Sequence, residues 1–272
     1  MGDPVLTVAV STLAKNRDQL LARLSAIKAD FPPAITFLVV SQLEADEGYF
    51  CFDGIDVYKS EEKGLSKSRN LGLRKCVTDW IWFQDDDIDI LIGPLLALVK
   101  RINGFNCDVI LTKVASRERP SEYFKNYDRY SINKRFLALR ISSIEIIANV
   151  PFLRRYNLRF DESLGLGSAL PSCEENLFFY DCIVKNSGSF MVYDDAIALH
   201  TTVTEARNID YEGRYRARGY MLAKMGDFFS PIILIWWAVR RTRENLPRRV
   251  RLSLMLRSYL QALAHQINSD KE

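Results

Sequence analysis

Short apolar runs rich in β-branched residues alternate with segments of helical periodicity, and this alternation constrains the fold more than any other feature of the chain. The first run covers residues 5–11 (VLTVAVS) and is followed by leucines at helical spacing. Further runs lie at 35–41, 55–59 and 79–84, and a helix begins after Gly64. Strands that alternate with helices form βαβ units with right-handed crossovers. The sequence therefore predicts an α/β domain with a mostly parallel central sheet flanked by helices.

The periodicity is weaker further along the chain. There we predict a helix over 90–102, a strand over 107–112, a strand over 136–141 and a short helix over 143–150. Residues 117–135 are polar and lack a clear period. Four aromatic residues are interleaved with them: Tyr123, Phe124, Tyr127 and Tyr130. This pattern is typical of a loop that crosses over the sheet.

Composition excludes several classes of protein. The chain has 272 residues, 48% hydrophobic and 26% charged, which favours one large domain with appendages over a disordered or coiled-coil chain. Its five cysteines include no CxxC pair, so a disulfide scaffold and a zinc ribbon are disfavoured and a reducing compartment is indicated. The N-terminus has no basic segment before its apolar run, and the longest apolar stretch, residues 228–239, is shorter than the about 20 residues that cross a bilayer. We expect a cytoplasmic protein without a signal peptide or membrane span.

Charge is distributed unevenly. The net charge is +3, but 12 Lys and Arg against 4 Asp and Glu from Arg214 onward give this part +8 and leave −5 on the rest. We therefore divide the chain into a body, residues 1–213, and a basic, partly apolar helical tail, residues 214–272. Such an asymmetry favours a tail that contacts an anionic surface.

The sharpest chemical feature is the acidic triplet Asp85-Asp86-Asp87, which follows the apolar run WIWFQ. Open α/β sheets bind ligands beyond the carboxyl ends of their strands, where this triplet falls. Adjacent carboxylates repel one another unless a cation or solvent offsets their charge, and oxygen ligands suit Mg²⁺ or Mn²⁺ better than zinc. The triplet is a candidate metal site; the alternative is a solvated acidic turn.

A second acidic pair, Glu174-Glu175, follows a loop rich in Gly, Pro and Ser and begins an apolar helix. One interpretation is a general base presented by a mobile loop. The other is structural, because Ser172 and Glu175 have the S-x-x-E spacing of a capping box.

Histidine is rare in this chain. His200 follows a strand-like run, whereas His265 lies in the basic tail without a comparable setting. A lone histidine is more often a hydrogen-bonded structural residue than a ligand, so both interpretations of His200 stay open.

The order and spacing of these segments resemble the family 2 glycosyltransferases, which have the GT-A fold. The segments are VLTVAVSTLAKNRDQLLARL, ITFLVVSQ, GLSKSRNLGL, WIWFQDDD, LALRISSIEII, FDESLGLGSALPSCEENLFF and ALH. The resemblance implies a Rossmann-like, mostly parallel sheet flanked by helices, here with a C-terminal helical basic appendage, and an inverting, metal-dependent sugar transfer.

The resemblance also implies roles for individual residues. The opening strand and turn contact the nucleotide, the family's G-x-x-x-A-R-N segment falls on residues 64–70, and the DXD motif falls on the acidic triplet. The implied nucleotide-sugar contacts are Val10, Ser11, Thr12, Arg17, Arg69, Asn70, Asp85 and Asp86. The implied ligands of a Mn²⁺ or Mg²⁺ ion are Asp85, Asp87 and His200. Of the catalytic pair Glu174-Glu175, the second residue would deprotonate the acceptor.

Two departures from the family's pattern concern the donor and the base. The family usually has an aspartate pair after its second strand that reads uracil, whereas this chain has Ser41-Gln42. Gln42 still offers hydrogen bonds to a base edge, so a UDP-sugar stays the expected donor. At the base position, Glu175 replaces the usual aspartate and lengthens the arm by one methylene group.

The basic tail suggests the acceptor. Its segment 227–243 joins an apolar aromatic run to Arg240, Arg241 and Arg243, and a second basic stretch contains Arg248, Arg249 and Arg251. Tryptophan and arginine around a short apolar helix are typical of a membrane interface. We expect a peripheral protein on the cytoplasmic face of the plasma membrane, with a lipid-linked saccharide acceptor in surface polysaccharide or glycolipid synthesis. The alternative is a tail that packs on the core or joins homo-oligomers.

Other functions fit the sequence less well. A nucleotidyltransferase would show a Gly-rich basic loop near the N-terminus, and residues 12–15 (TLAK) are not one. A membrane-peripheral scaffold that binds a sugar nucleotide without transferring it is the main alternative. Nucleic-acid binding is disfavoured, because the basic residues lie beside Trp and Ile rather than in a recognition motif.

Overall fold

The computed structural model describes residues 5–127, 133–201, 210–240 and 246–269. Within these ranges, one sheet holds nine strands in the order β3-β4-β2-β1-β5-β8-β7-β9-β6. The strands are β1 (Leu6–Leu13), β2 (Ile35–Gln42), β3 (Gly48–Phe52), β4 (Ile55–Ser60), β5 (Trp80–Asp85), β6 (Asp89–Ile90), β7 (Val109–Ser116), β8 (Ile146–Asn149) and β9 (Phe190–His200). The helices are α1 (Ala14–Lys28), α2 (Leu65–Lys75), α3 (Ile92–Ile102), α4 (Lys134–Ala138), α5 (Val150–Arg155), α6 (Glu174–Tyr180), α7 (Tyr211–Met225), α8 (Ser230–Val239) and α9 (Arg248–Ser269).

Four parallel strands, β4, β2, β1 and β5, end at the same edge of the sheet. Their register pairs Ser11 with Asp85 and Leu13 with Gln42. Most of their side chains are buried, as expected for parallel strands covered on both faces. The α/β fold with a mostly parallel central sheet is confirmed, and the acidic triplet begins at the carboxyl edge, beside the end of β1.

Helices cover both faces of the sheet. α1 and α3 pack on one face, in the core cluster that contains Leu24 and Leu98. On the other face Phe160 stacks on Phe178 with ring centroids 4.2 Å apart, and Phe83 of β5 meets both rings edge-on. This second cluster fixes the segment that carries Glu174 and Glu175 against the end of β5.

Two predictions for residues 136–150 are wrong. α4 occupies Lys134–Ala138, where the pattern predicts a strand, because Asn133 accepts a hydrogen bond from the backbone N of Arg135 (3.0 Å) and caps a helix. The predicted helix over 143–150 is a short 3-10 turn followed by β8, which pairs antiparallel with both β5 and β7. Tertiary pairing here outweighs a weak local pattern.

Loop 117–127 crosses beside β7, as predicted, and Tyr123 forms an isolated bridge with Ala115. Tyr130 lies outside the described residues. Strand β3 was not predicted from the sequence, because its side chains are mostly exposed and show no alternation.

The last three helices pack on the body and on one another. A Cβ atom on Gly219 of α7 would overlap the backbone of Met255 in α9, so these helices approach closely. Tyr215 and Met221 are fully buried in the same cluster as Phe178. The predicted boundary between body and tail, after residue 213, falls inside α7, which runs from Tyr211 to Met225. In the described part of the chain, no helix is long and apolar enough to span a bilayer.

Candidate active site

A cleft of about 720 Å³ opens at the carboxyl edge of the sheet, beside β1 and β5. Seven of the predicted site residues line it: Ser11, Thr12, Gln42, Asp85, Asp86, Asp87 and His200. Residues that the sequence analysis missed also line it, among them Lys15, Asn16, Arg23, Lys63, Arg117 and Gly167. Four of these are cationic, so the cleft combines a carboxylate cluster with positive charge suited to an anionic ligand.

Each carboxylate of the triplet has its own partner. Asp85 Oδ1 accepts a hydrogen bond from Arg69 Nη2 (2.9 Å), and Asp86 Oδ2 accepts from Thr12 Oγ1 (2.6 Å) and Asn16 Nδ2 (3.1 Å). Asp87 Oδ1 lies 3.6 Å from His200 Nε2. Hydrogen bonds from the protein therefore orient Asp85 and Asp86, and Asp87 lies beside His200.

Arg69 joins the two acidic motifs. Its side chain is only 1% exposed, and besides Asp85 it donates from Nη1 to Glu174 Oε1 (3.1 Å) and from Nη2 to Ser143 Oγ (2.6 Å). Removing one partner of a buried ion pair costs about 3–5 kcal/mol, because the other charge is left uncompensated. Arg69 thus holds β5 and α6 together, and it does not belong to the lining of the cleft.

Five other predicted site residues also lie away from the cleft lining: Val10, Arg17, Asn70, Glu174 and Glu175. Val10 packs its side chain in the core. Arg17 pairs with Asp18 (2.9 Å) and Glu44 (2.6 Å). Asn70 hydrogen-bonds the backbone of Phe160 through both its amide nitrogen and its oxygen, so in this structure it holds that segment against α2.

Gln42 lines the cleft and also supports its wall. Its Oε1 accepts a hydrogen bond from the backbone N of Gly64 (2.8 Å), a residue at φ +143° that a side chain would strain. Gly64 here meets the loop that contains Gly167. A Cβ atom on Gly167 would lie 3.3 Å from the Gly64 backbone, so two glycines allow this close approach.

Gly165 lies in the same loop as Gly167 and also allows a close approach to neighbouring side chains. Gly165 has φ +101°, and a Cβ atom there would lie 2.9 Å from Ser66 Oγ and 3.2 Å from Glu174 Cδ. Ser66 in turn donates to the carbonyl oxygen of Leu164 (2.6 Å). The loop is thus docked on the start of α2 and delivers Glu174 to Arg69.

The capping interpretation of Glu175 is wrong. α6 begins at Glu174, with Cys173 as N-cap in the left-handed region (φ +73°), and no side chain of the described residues caps it. A capping box with the same S-x-x-E spacing occurs instead at Ser142–Glu145.

Glu174 and Glu175 differ in environment. Glu174 is buried and paired with Arg69, whereas Glu175 Oε2 is buried without a hydrogen-bond partner among the described residues. Burial, and next the charge of Glu174, raises the pKa of Glu175 to about 8, although Arg69 opposes the shift. A carboxyl group with a pKa near neutrality is suited to general acid–base chemistry.

The acidic residues of the cleft offer oxygen ligands to a divalent cation. Among the described residues, no three His, Cys, Asp or Glu side chains converge as a preformed metal cage. Mg²⁺, however, is commonly held by one or two carboxylates together with substrate phosphates. Asp87 offers such a carboxylate, with His200 beside it, while Asp85, the third predicted ligand, is engaged by Arg69.

A buried polar network that the sequence analysis missed lies behind Glu175. Glu145 is fully buried; its Oε2 accepts from Tyr127 OH (2.6 Å) and from the Ser142 backbone N (3.0 Å), and lies 3.8 Å from Lys125 Nζ. Burial lowers the pKa of Lys125, against the opposing charges of Glu145 and Glu175. The S-x-x-E pattern at 142–145 was the available sequence signal.

A parallel sheet with a carboxylate cluster and a cationic cleft at its carboxyl edge defines an α/β ligand-binding site of the switch-point type. The sequence pattern described as Glycosyl transferase family 2 matches residues 44–165, a range that includes Arg69 and the acidic triplet. No protein of curated function matches the sequence.

Solved structures agree on the fold. The crystal structure of S. aureus TarS 1-349 superposes with a TM-score of 0.55 at 17% identity, covering 95% of this chain and 71% of that chain. The same TarS fragment in complex with UDP superposes with a TM-score of 0.54 at 17% identity, covering 94% of this chain and 70% of that chain. The fragment in complex with UDP-GlcNAc gives a TM-score of 0.56 at 17% identity, covering 95% of this chain and 72% of that chain. This chain therefore has a GT-A-like fold.

Proposed function

We propose that this protein is an inverting glycosyltransferase, which moves a sugar from a nucleoside diphosphate sugar, a UDP-sugar in our assignment, to a hydroxyl group of a saccharide acceptor. The observation that carries the proposal is the link through Arg69, whose buried guanidinium binds Asp85 of the triplet and Glu174 of the acidic pair. The family match to residues 44–165 and the UDP and UDP-GlcNAc complexes of TarS support the choice of donor.

The residues of the cleft divide the work. The cationic side chains that line the cleft, among them Lys15, Lys63 and Arg117, would attract the donor's diphosphate, and Thr12 with Asn16 fixes Asp86. Asp87 and His200 would hold Mn²⁺ or Mg²⁺. Such an ion, when bound, offsets the charge of the departing diphosphate.

Glu175 is the proposed base. It takes the proton from the acceptor hydroxyl while the acceptor oxygen forms a bond to the anomeric carbon and the bond from that carbon to the diphosphate breaks. This single displacement inverts the anomeric configuration and needs no protein nucleophile. Glu174, paired with Arg69, is a buried structural residue whose charge contributes to the raised pKa of Glu175.

Nucleotide binding tests the donor site directly. In isothermal titration calorimetry with Mn²⁺, UDP is expected to bind more tightly than UMP, because its second phosphate reaches the cationic wall. Lys63→Met should weaken UDP binding by roughly tenfold, the value of one charge-assisted hydrogen bond. Lys100→Met, at an exposed site on α3 outside the cleft, is the matched control and should bind UDP like the wild type. Equal affinity for UMP and UDP would contradict a diphosphate site, and binding without sugar release would favour the scaffold alternative.

A further inference from the structure

α8 exposes an apolar stripe on one side. Its exposed residues and those of the turn before it recur at helical spacing: Phe228, Phe229, Ile232, Ile235, Trp236 and Val239. Phe228 is 85% and Trp236 53% exposed. The opposite side of α8 is buried through Ser230, Leu234 and Ala238. Soluble monomers seldom expose a contiguous apolar face of this kind, so the stripe indicates a contact surface.

The charges around the stripe are mostly positive. Between Asp227 and Asp270 the sequence has seven arginines and one acidic residue, Glu244. The Arg240 guanidinium lies 4.9 Å from the centroid of the Trp236 ring. Arg248 and Arg249 are exposed at the start of α9, which is tied to the end of α8 because Arg251 donates to the Arg240 carbonyl oxygen (3.0 Å).

Two details correct the predicted basic flank. Arg251 is buried and serves this helix contact, so it does not face a partner. Arg241 and Arg243 lie outside the described residues. The exposed part of the flank therefore consists of Arg240, Arg248 and Arg249.

We propose that the α8 stripe docks on an anionic membrane surface. α8 has 10 residues and is about 15 Å long, half the thickness of a bilayer core, so it lies along the surface instead of crossing it. Large aromatic and branched side chains enter the headgroup boundary, and arginines at the end of the stripe pair with lipid phosphates. The exposed flank has three arginines, and the described residues of α8 and α9 include no exposed acidic residue. This positive charge favours an anionic lipid surface over a protein partner as the occupant.

The stripe is coupled to the candidate active site. Asp227, at its base, accepts a hydrogen bond from Tyr180 OH (2.9 Å) and pairs with Arg135. Tyr180 ends α6, the helix that begins with Glu174 and Glu175. A docked α8 therefore fixes these carboxylates relative to the bilayer. If the proposed function holds, the acceptor is a saccharide carried on a membrane lipid.

Vesicle co-sedimentation of the full chain tests the docking. Wild-type protein is expected to sediment with vesicles of phosphatidylcholine and phosphatidylglycerol in equal parts, and the binding should weaken with salt. Ile235→Glu should lower the partition coefficient by about tenfold or more, and Arg240→Gln by about fivefold. Val77→Glu, at an exposed apolar residue in the turn before β5, is the matched control and should bind like the wild type.

Several outcomes would overturn the proposal. These are no sedimentation of the wild type at low salt, unchanged binding by Ile235→Glu, or equal binding to vesicles of phosphatidylcholine alone. Light scattering identifies the competing partner: if the wild type is a dimer that Ile235→Glu splits without any vesicle binding, the stripe is a subunit interface. Phe228→Ser, at the most exposed position of the stripe, replaces Ile235→Glu should that variant not fold. The assay reads lipid binding alone, so failed sugar transfer leaves its result unaffected.

Discussion

Replacing Glu175 by glutamine is expected to lower the rate of sugar transfer by about 10²–10⁴-fold, the usual contribution of a general base. Glutamine keeps the shape of the side chain but accepts no proton. Glu175 makes no ion pair among the described residues, so the fold and the affinity for the donor should hardly change. Single-turnover transfer and UDP titration on the same preparation separate the two effects.

Glu174→Gln is the discriminating comparison. Glu174 pairs with Arg69, and its charge raises the pKa of Glu175. We expect this variant to lose stability, because Arg69 loses a charged partner, but to keep a working base. If Glu174→Gln abolished transfer while Glu175→Gln retained it, the assignment of the base would be off by one residue.

The pH profile reports the same residue. The folded-state pKa of Glu175, about 8, lies above the ordinary value of about 4.3. The wild-type kcat/KM should therefore rise with pH on an acid limb that ends near that pKa, and Glu174→Gln should shift the limb to lower pH. Since the folded state binds this proton more tightly, the free energy of unfolding should fall as pH rises between the two pKa values, and Glu175→Gln should remove that slope.

Asp87→Ala is expected to abolish metal-dependent turnover, with a loss of about 100-fold or more, because a bound cation supplies several kcal/mol of charge stabilisation. Asp87 and His200 are the protein groups available to hold it. Electron paramagnetic resonance of Mn²⁺ with UDP present should show weaker binding of the ion by the variant. This readout does not depend on turnover.

Asp195→Ala removes the same charge from an exposed site of β9 outside the cleft and should bind Mn²⁺ like the wild type. Full turnover of the wild type in EDTA would contradict the metal assignment. The approach of Asp87 to His200 would then be interpreted as a structural contact at the end of β9.

Much of the parallel half of the sheet follows from sequence alone. Residues 5–11, 35–41 and 79–84 are largely apolar because helices cover these strands on both faces, and the alternation with α1 and α2 indicates a parallel order. β8 has only four residues, and it forms a strand because it pairs with β5 and β7. Its own sequence contains no pattern that predicts this long-range pairing. β3 is an exposed edge strand and carries no alternation.

The candidate site likewise contains residues that the sequence indicates and residues that only the structure reveals. The aspartate triplet, Glu174-Glu175 and His200 could be singled out from the sequence because they fall at strand and loop ends in the order and spacing that resemble the family 2 glycosyltransferases. The burial of Arg69 could not be predicted, since an arginine in a polar helix is ordinarily solvated. It becomes visible only when the long-range contacts with Asp85 and Glu174 are known. Glu145 is hidden for the same reason, because its partner Tyr127 lies in an aperiodic loop.

Proton nuclear magnetic resonance of the sugar released from UDP-, GDP- and dTDP-sugars, recorded before the anomers equilibrate, tests the central claim most directly. Single displacement predicts metal-dependent release from one of these donors, with the opposite anomer to that of the donor appearing first and the release suppressed in Glu175→Gln. First appearance of the donor's own anomer, or no release from any donor by a protein that binds UDP, would contradict an inverting glycosyltransferase.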